Sequence, residues 1–210
     1  MLALYPKKQI YYRLRSFWGT VQKKLEVLGL LLTVIGVGSY PAQALPGQSV
    51  RDAQAWIQAH PTLKPLPGET LVVRKADTAA QRFSFVSSIF PVYAMRTPER
   101  SRVIRHESIE LFDMVNGVSA IRLEESLRVI YGAEVYGDYD RAAEVYRYPA
   151  SNALGQGTAL AQARQGQLRL GDRYGYWLEV VQTPEGRPYN GQMVVFLKED
   201  LANLQAQLKP

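Results

Sequence analysis

The chain has 210 residues, with 25 Lys and Arg against 19 Asp and Glu, and it contains no cysteine. The lack of cysteine excludes disulfides, thiol nucleophiles and lipid attachment through a thiol. Six of the basic residues and one acidic residue precede Leu45, so the remainder carries only one more basic than acidic residue. This near balance argues against nucleic-acid binding, which depends on a basic surface that neutralises phosphates.

Residues 1–44 have the pattern of a Sec-type signal peptide. A basic segment precedes the short apolar run Val27–Val37, and Ala42-Gln43-Ala44 supplies the small residues of a cleavage site. The apolar run is shorter than the roughly 20 residues that cross a bilayer. We therefore expect cleavage after Ala44 and export into a bacterial periplasm. The long basic segment also resembles exported cyanobacterial proteins, for which the compartment would be the thylakoid lumen.

The remaining chain begins with a predicted helix and a stiff connector. Ser49 is placed to cap a helix that runs to about Ala59, and His60-Pro61 ends it. The segment Pro61–Gly68 is rich in proline and is expected to be a linker. Apolar and β-branched runs then predict three antiparallel strands at Thr70–Arg74, Arg82–Tyr93 and Arg102–Phe112.

A second helix is predicted from its cap at Ser119 to a left-handed stop at Gly132. Its apolar stripe consists of Ala120, Leu123, Leu127 and Ile130. The sequence Ala133–Tyr136 then recurs as Ala143–Tyr146, which leaves two alternatives: a hairpin or a domain boundary.

From about Ala143 to Leu201 the chain resembles bacterial SH3-like domains. Val145–Pro149 is similar to the opening strand, Gln165-Gly166 to the following turn, and Tyr176–Val180 to the aromatic strand of that family. Pro184–Gly186 is similar to the short hairpin turn, and Asp200-Leu201 to the closing turn. Gln192 departs from the pattern, because the family has a tryptophan at this place.

The predicted helices and strands, together with this resemblance of the C-terminal part, give the expected fold class and domains. The class is α+β: residues 45–131 form a small antiparallel sheet covered by helices, and residues 132–210 form a small SH3-like β-barrel. An amphipathic tail with leucines at 197, 201, 204 and 208 predicts a C-terminal helix.

The resemblance also implies a binding function, since SH3-like folds hold extended ligands against exposed aromatic rings. Trp177 is expected in the core instead. The candidate ligand-binding aromatic residues are Tyr146, Tyr148, Tyr174, Tyr176 and Tyr189.

Two other groups of residues are candidate sites. The segment His106–Glu110 is one residue away from an H-E-x-x-H motif, and with His60 it offers a His60, His106, Glu110 zinc shell with Glu107 as base. A short motif without its helical context is weak evidence for such a site. The arginines at 96, 100, 102 and 105 offer an anion-binding face, against the simpler alternative of a solvated loop with local ion pairs.

These features favour an exported, non-catalytic envelope protein that binds a peptide, a protein partner or a cell-wall polymer and needs no cofactor. The alternatives are a metal-dependent hydrolase centred on His106, Glu107 and Glu110, and an assembly or scaffold factor that docks through its C-terminal tail.

Overall fold

The computed structural model describes residues 45–92, 102–148 and 163–208, all of which belong to the compact unit Ala42–Pro210. The proposed signal peptide lies outside the described residues. The strands in the described part are β1 (Val72–Thr78), β2 (Gln81–Ser88), β3 (His106–Asp113), β4 (Ala143–Tyr148), β5 (Arg164–Leu170), β6 (Gly175–Gln182) and β7 (Pro188–Phe196). The helices there are α1 (Val50–Ala59), α2 (Ala120–Arg141) and α3 (Leu201–Leu208), with a 3-10 turn at Lys198–Asp200.

The strands form one antiparallel sheet in the order β1-β2-β3-β7-β6-β5-β4. The predicted fold class, with its separate SH3-like barrel, is therefore wrong. A closed barrel needs its first and last strands to pair, whereas β1 and β4 lie at opposite ends of the described sheet. The C-terminal strands instead extend the N-terminal sheet, because β7 pairs with β6 on one side and with β3 on the other.

One face of the sheet, here called the helix face, is covered by α1 and α2. Side chains of β2, β3 and β7 such as Phe85, Ile109 and Met193 are fully buried there. Helix α2 approaches β7 closely because residue 191 is glycine: a Cβ at Gly191 would lie 2.9 Å from Cδ1 of Leu123. The position thus requires a residue without a side chain.

The predicted helix caps are confirmed. The hydroxyl of Ser49 accepts the N–H of Asp52 at 3.2 Å, and the hydroxyl of Ser119 accepts the N–H of Arg122 at 3.3 Å. Gly132 has a φ of 80°, as the predicted stop requires. The chain kinks there and resumes a helix to Arg141, so the predicted hairpin is wrong.

The opposite face, here called the outer face, is divided along the strands. At one end Leu168, Trp177 and Val194 lie side by side on β5, β6 and β7. Together with Phe196 they form a second core under Leu204 of α3. The predicted C-terminal helix thus covers this end, and Trp177 is a core residue as predicted.

Two further observations complete the fold. Helix α3 is held by Arg105, whose guanidinium pairs with Asp200 and Glu199 in the preceding turn. None of the helices in the described ranges is both long and apolar enough to cross a membrane.

The packing of Phe196 on Gly175, its neighbour across the β6–β7 ladder, makes a testable prediction. A methyl group at residue 175 would overlap the Phe196 ring, so Gly175→Ala should lower the free energy of unfolding by about 1–3 kcal/mol. The matched control is Gly137→Ala in α2, where the nearest atom lies on the flexible side chain of Arg141. This control should be neutral or stabilising, and urea unfolding of both variants tests the pair. Equal stabilities of the two variants would contradict the packing.

Candidate ligand-binding trough

Helix α3 leaves half of the outer face uncovered, and this half is here called the trough. The first of its two rows of residues crosses all seven strands. These residues are direct neighbours in successive ladders. The row spans six strand spacings, or roughly 29 Å. From β1 to β4 it consists of Arg74, Ser84, Glu110, Gln192, Glu179, Gly166 and Tyr148.

A second row lies beside the first, further from α3. From β1 to β5 it consists of Ala76, Arg82, Phe112, Asn190, Val181 and Arg164. On β6 and β7 the outer face changes from apolar under α3 to polar in the trough within two residues, from Trp177 to Glu179 and from Val194 to Gln192.

Two open depressions of about 860 and 580 Å³ occupy the trough. Both are lined by Glu110 and Asn190, so they adjoin. The larger one extends to Gln192 and Glu179 and to the hairpin Thr183–Gly186. The smaller one extends towards the edge of the sheet at β1. Together they form a continuous groove across the sheet.

Glu179 is the most constrained residue of the trough. Its side chain is 3% exposed and pairs with Arg164, with 2.8 Å between Oε1 and the guanidinium. The Gln192 amide donates to the same oxygen at 3.3 Å, and the Tyr148 hydroxyl donates to Oε2 at 2.5 Å. Both carboxylate oxygens therefore have partners, so Glu179 fixes neighbouring side chains rather than acting as a free acid or base.

Gly166 makes this arrangement sterically feasible. The ring of Tyr148 lies directly over it, in space that any side chain at residue 166 would fill. The Tyr148 hydroxyl thereby reaches Glu179 on β6 and also accepts the indole N–H of Trp177 at 2.8 Å. The trough and the core under α3 are thus joined by hydrogen bonds.

Tyr189 reaches the trough through an irregularity in β7. The ladder pairs Val181 with Asn190 and Gln182 with Pro188, which leaves Tyr189 as an extra residue on β7. Such bulges redirect a side chain. The Tyr189 ring lines the larger depression and meets the Phe112 ring edge-on, with 5.9 Å between the centroids.

The structure places the predicted tyrosines at different sites. Tyr189 lines the trough and Tyr148 holds Glu179. Tyr146 lies beneath α3 and donates to the carbonyl of Leu208 at 3.2 Å. Tyr174 and Tyr176 are buried, and Tyr176 donates to Asp138 at 2.7 Å.

Of the four arginines in the predicted anion-binding face, two lie in the described part of the chain. Arg96 and Arg100 lie outside the described residues, and Arg102 is exposed. Arg105 is engaged in the clamp on α3 described above. The pairing raises the pKa of Arg105, mainly through its hydrogen bonds to Asp200, so this residue serves the fold.

The structure does not bring the predicted zinc ligands together. His106 and Glu110 lie on the outer face, with His106 Nδ1 2.7 Å from the carbonyl of Phe90. His60 bonds the carbonyl of Ile130 in α2 at 2.9 Å, on the helix side of the sheet. Burial lowers the pKa of both histidines. No group of three potential metal ligands occurs among the described residues.

Glu107, the predicted base, is fully buried on the helix face. It accepts hydrogen bonds of 2.8 Å from the hydroxyls of Ser87 and Tyr131. Burial raises the pKa of Glu107 to about 7, and these two hydrogen bonds only partly oppose the shift. The Tyr131 ring stacks on Trp56, so this carboxyl group lies at the junction of α1, α2 and the sheet.

Several trough residues were missed from the sequence. They are Arg74, Arg82, Phe112, Glu179, Asn190 and Gln192. One signal was available: Glu179 interrupts the apolar strand Tyr176–Val181. The other residues come together in the trough because of the strand order, which local sequence patterns do not specify.

The buried Glu107 makes stability depend on pH. Between pH 4.5 and about 7 the folded protein keeps a proton on Glu107 that the unfolded chain has lost, so this group's contribution to stability falls as pH rises. Glu107→Gln removes that loss. The unfolding free energy of the variant relative to wild type should therefore increase by about 3 kcal/mol from below to above this window.

Urea unfolding across this pH range measures the difference, and the contributions of the two histidines cancel because both proteins contain them. Glu110→Gln, which removes an exposed carboxylate from the same strand, is the control for the loss of one negative charge. Parallel curves for Glu107→Gln and wild type would contradict a buried, protonated Glu107.

Comparison of the chain with family models, curated proteins and solved structures gives no match.

Proposed function

We propose that this chain is an exported, non-catalytic protein that binds a linear glycan of the cell wall in the trough. The observation that carries the proposal is the half of the outer face that no described helix covers, where amide, carboxylate, guanidinium and aromatic groups lie side by side in two rows. Export rests on the signal-peptide pattern of residues 1–44. The periplasm or the thylakoid lumen is then the compartment.

The shape of the trough favours a long ligand. Sites for small molecules usually enclose most of the ligand surface. The two depressions are open and adjoin across the strands. A polymer that lies across the sheet would contact both at once, and its affinity would add up over many weak contacts.

The side chains favour a glycan over an apolar peptide. Asn190 and Gln192 each carry both a donor and an acceptor, as a sugar hydroxyl does. Glu110 is exposed between the two depressions and accepts hydrogen bonds. The Tyr189 ring supplies an amphipathic surface on which a sugar ring can pack.

Catalysis finds little support in the trough. The two carboxylates lie on either side of Gln192, at Glu110 and Glu179. Glycan hydrolysis needs two carboxyl groups, one to transfer a proton and one to act on the sugar or on water. Glu179 has partners at both oxygens, which leaves Glu110 without a second free carboxylate opposite it.

Co-sedimentation with peptidoglycan sacculi tests the proposal. The protein from Leu45 to Pro210 should pellet with sacculi, and also with glycan strands whose peptides have been removed by an amidase. Tyr189→Ala should weaken binding about tenfold, since loss of one aromatic contact costs on the order of 1–1.5 kcal/mol. Phe90→Ala is the control, because it removes an exposed ring that does not line the trough.

Failure of the wild-type protein to pellet with either material would overturn the proposal. If the protein pellets with whole sacculi but not with peptide-free strands, its ligand is the wall peptide and not the glycan. Equal losses of binding for Tyr189→Ala and Phe90→Ala would show that the binding site is not in the trough. Thermal unfolding of each variant verifies that the fold is kept.

A further inference from the structure

The β1–β2 end of the trough carries two exposed arginines. Arg74 and Arg82 are exposed and lie diagonally on neighbouring strands, where Arg74 begins the first row and Arg82 follows Ala76 in the second. Neither forms an ion pair with any described residue, whereas Arg164 at the other end of the trough is paired with Glu179. The two ends of the trough therefore differ in charge.

Arg82 is held in place by an aromatic ring. Its guanidinium carbon lies 4.2 Å from the centroid of the Phe112 ring, in a cation–π contact. A guanidinium held over a ring can still meet a carboxylate with two parallel hydrogen bonds through its N–H edges. Ala76, beside Arg82 in the second row, has a side chain too short to obstruct such a group.

Three cationic side chains, Arg74, Lys75 and Arg82, line the smaller depression at this end. Glu110 is the acidic residue that lines the smaller depression. Glu69 lies near Arg74, and its two carboxylate oxygens accept the backbone N–H groups of Leu66 and Arg74. These hydrogen bonds, and to a smaller extent the charges of Arg74 and Lys75, lower the pKa of Glu69, which is therefore an anion outside the lining of the depression. Lys75 also borders the depression, and its ammonium group donates to the carbonyl of Thr62.

We infer that Arg74 and Arg82 bind a carboxylate of the ligand, so that the glycan in the trough is an acidic one that carries uronic or other carboxyl-bearing sugars. The inference rests on the proposed function and specifies its substrate class. One sugar of the chain places its carboxylate against Arg74 and Arg82, and sugars further along the chain lie against Asn190, Gln192 and Tyr189. The carboxylate lies at the β1–β2 end, where charge complementarity selects it.

Binding of polygalacturonate and of its carboxyl-reduced, neutral counterpart tests the inference by isothermal titration. Wild type should bind the acidic polymer about tenfold more tightly, an advantage that falls with added salt because the contacts are exposed. The double variant Arg74→Gln/Arg82→Gln should lose this preference and keep its affinity for the neutral polymer. Arg51→Gln/Arg141→Gln, with the same change in net charge away from the trough, should behave as wild type.

A third variant, Arg74→Lys/Arg82→Lys, keeps the charge and removes the planar fork. It should retain only part of the preference, which separates bidentate binding from simple attraction. Thermal unfolding should show that all three variants are folded, since the substituted side chains are exposed.

The outcomes separate the two proposals. Equal binding of the acidic and the neutral polymer by wild type overturns the carboxylate site and leaves the glycan-binding function standing. Binding of neither polymer, together with no binding to sacculi, overturns both. Polyglutamate, polyphosphate or single-stranded DNA binding as tightly as polygalacturonate would reduce the arginine pair to a general anion patch and overturn the inference.

Discussion

The ladder between β3 and β7 is the constraint on which the rest of the structure depends. It joins strands that precede and follow α2 into one sheet, in register from His106 with Phe196 to Phe112 with Asn190. Without it the helix face would be split beneath α2, and the polar rows would end at β3 and β7. Gly191 lies on this ladder and admits α2 close to the sheet. The core and the trough thus lie on opposite faces of the sheet that this ladder joins.

Local features of the sequence predicted much of the secondary structure. The caps at Ser49 and Ser119 and the stop at Gly132 each follow from one residue type and its neighbours, and all three are found. The strand patterns within residues 143–196 also correspond to real strands. The expected closed barrel was wrong, because the same strands can close on themselves or extend another sheet. That choice depends on contacts between residues far apart in the sequence.

The trough was predictable only in part for the same reason. Tyr189 was identified from its residue type, although its place in the trough comes from the β-bulge. Glu179 looked like an ordinary charged residue until the ladder set it beside Gln192 and beneath Tyr148. The opposite error concerned Arg105, whose charge suggested a ligand site. It pairs with Asp200, 95 residues away, a partner that inspection of the neighbouring sequence does not reveal.

The hydrogen bond from Trp177 to Tyr148 gives the molecule an internal optical probe. The indole of Trp177 is buried under α3, yet its N–H ends on the tyrosine that holds Glu179 in the trough. The other tryptophan of the described residues, Trp56, stacks on Tyr131 on the opposite face of the sheet. A ligand that shifts Tyr148 therefore changes the surroundings of one indole and leaves the other as an internal reference. Occupancy of the trough can thus be followed by intrinsic fluorescence without a label.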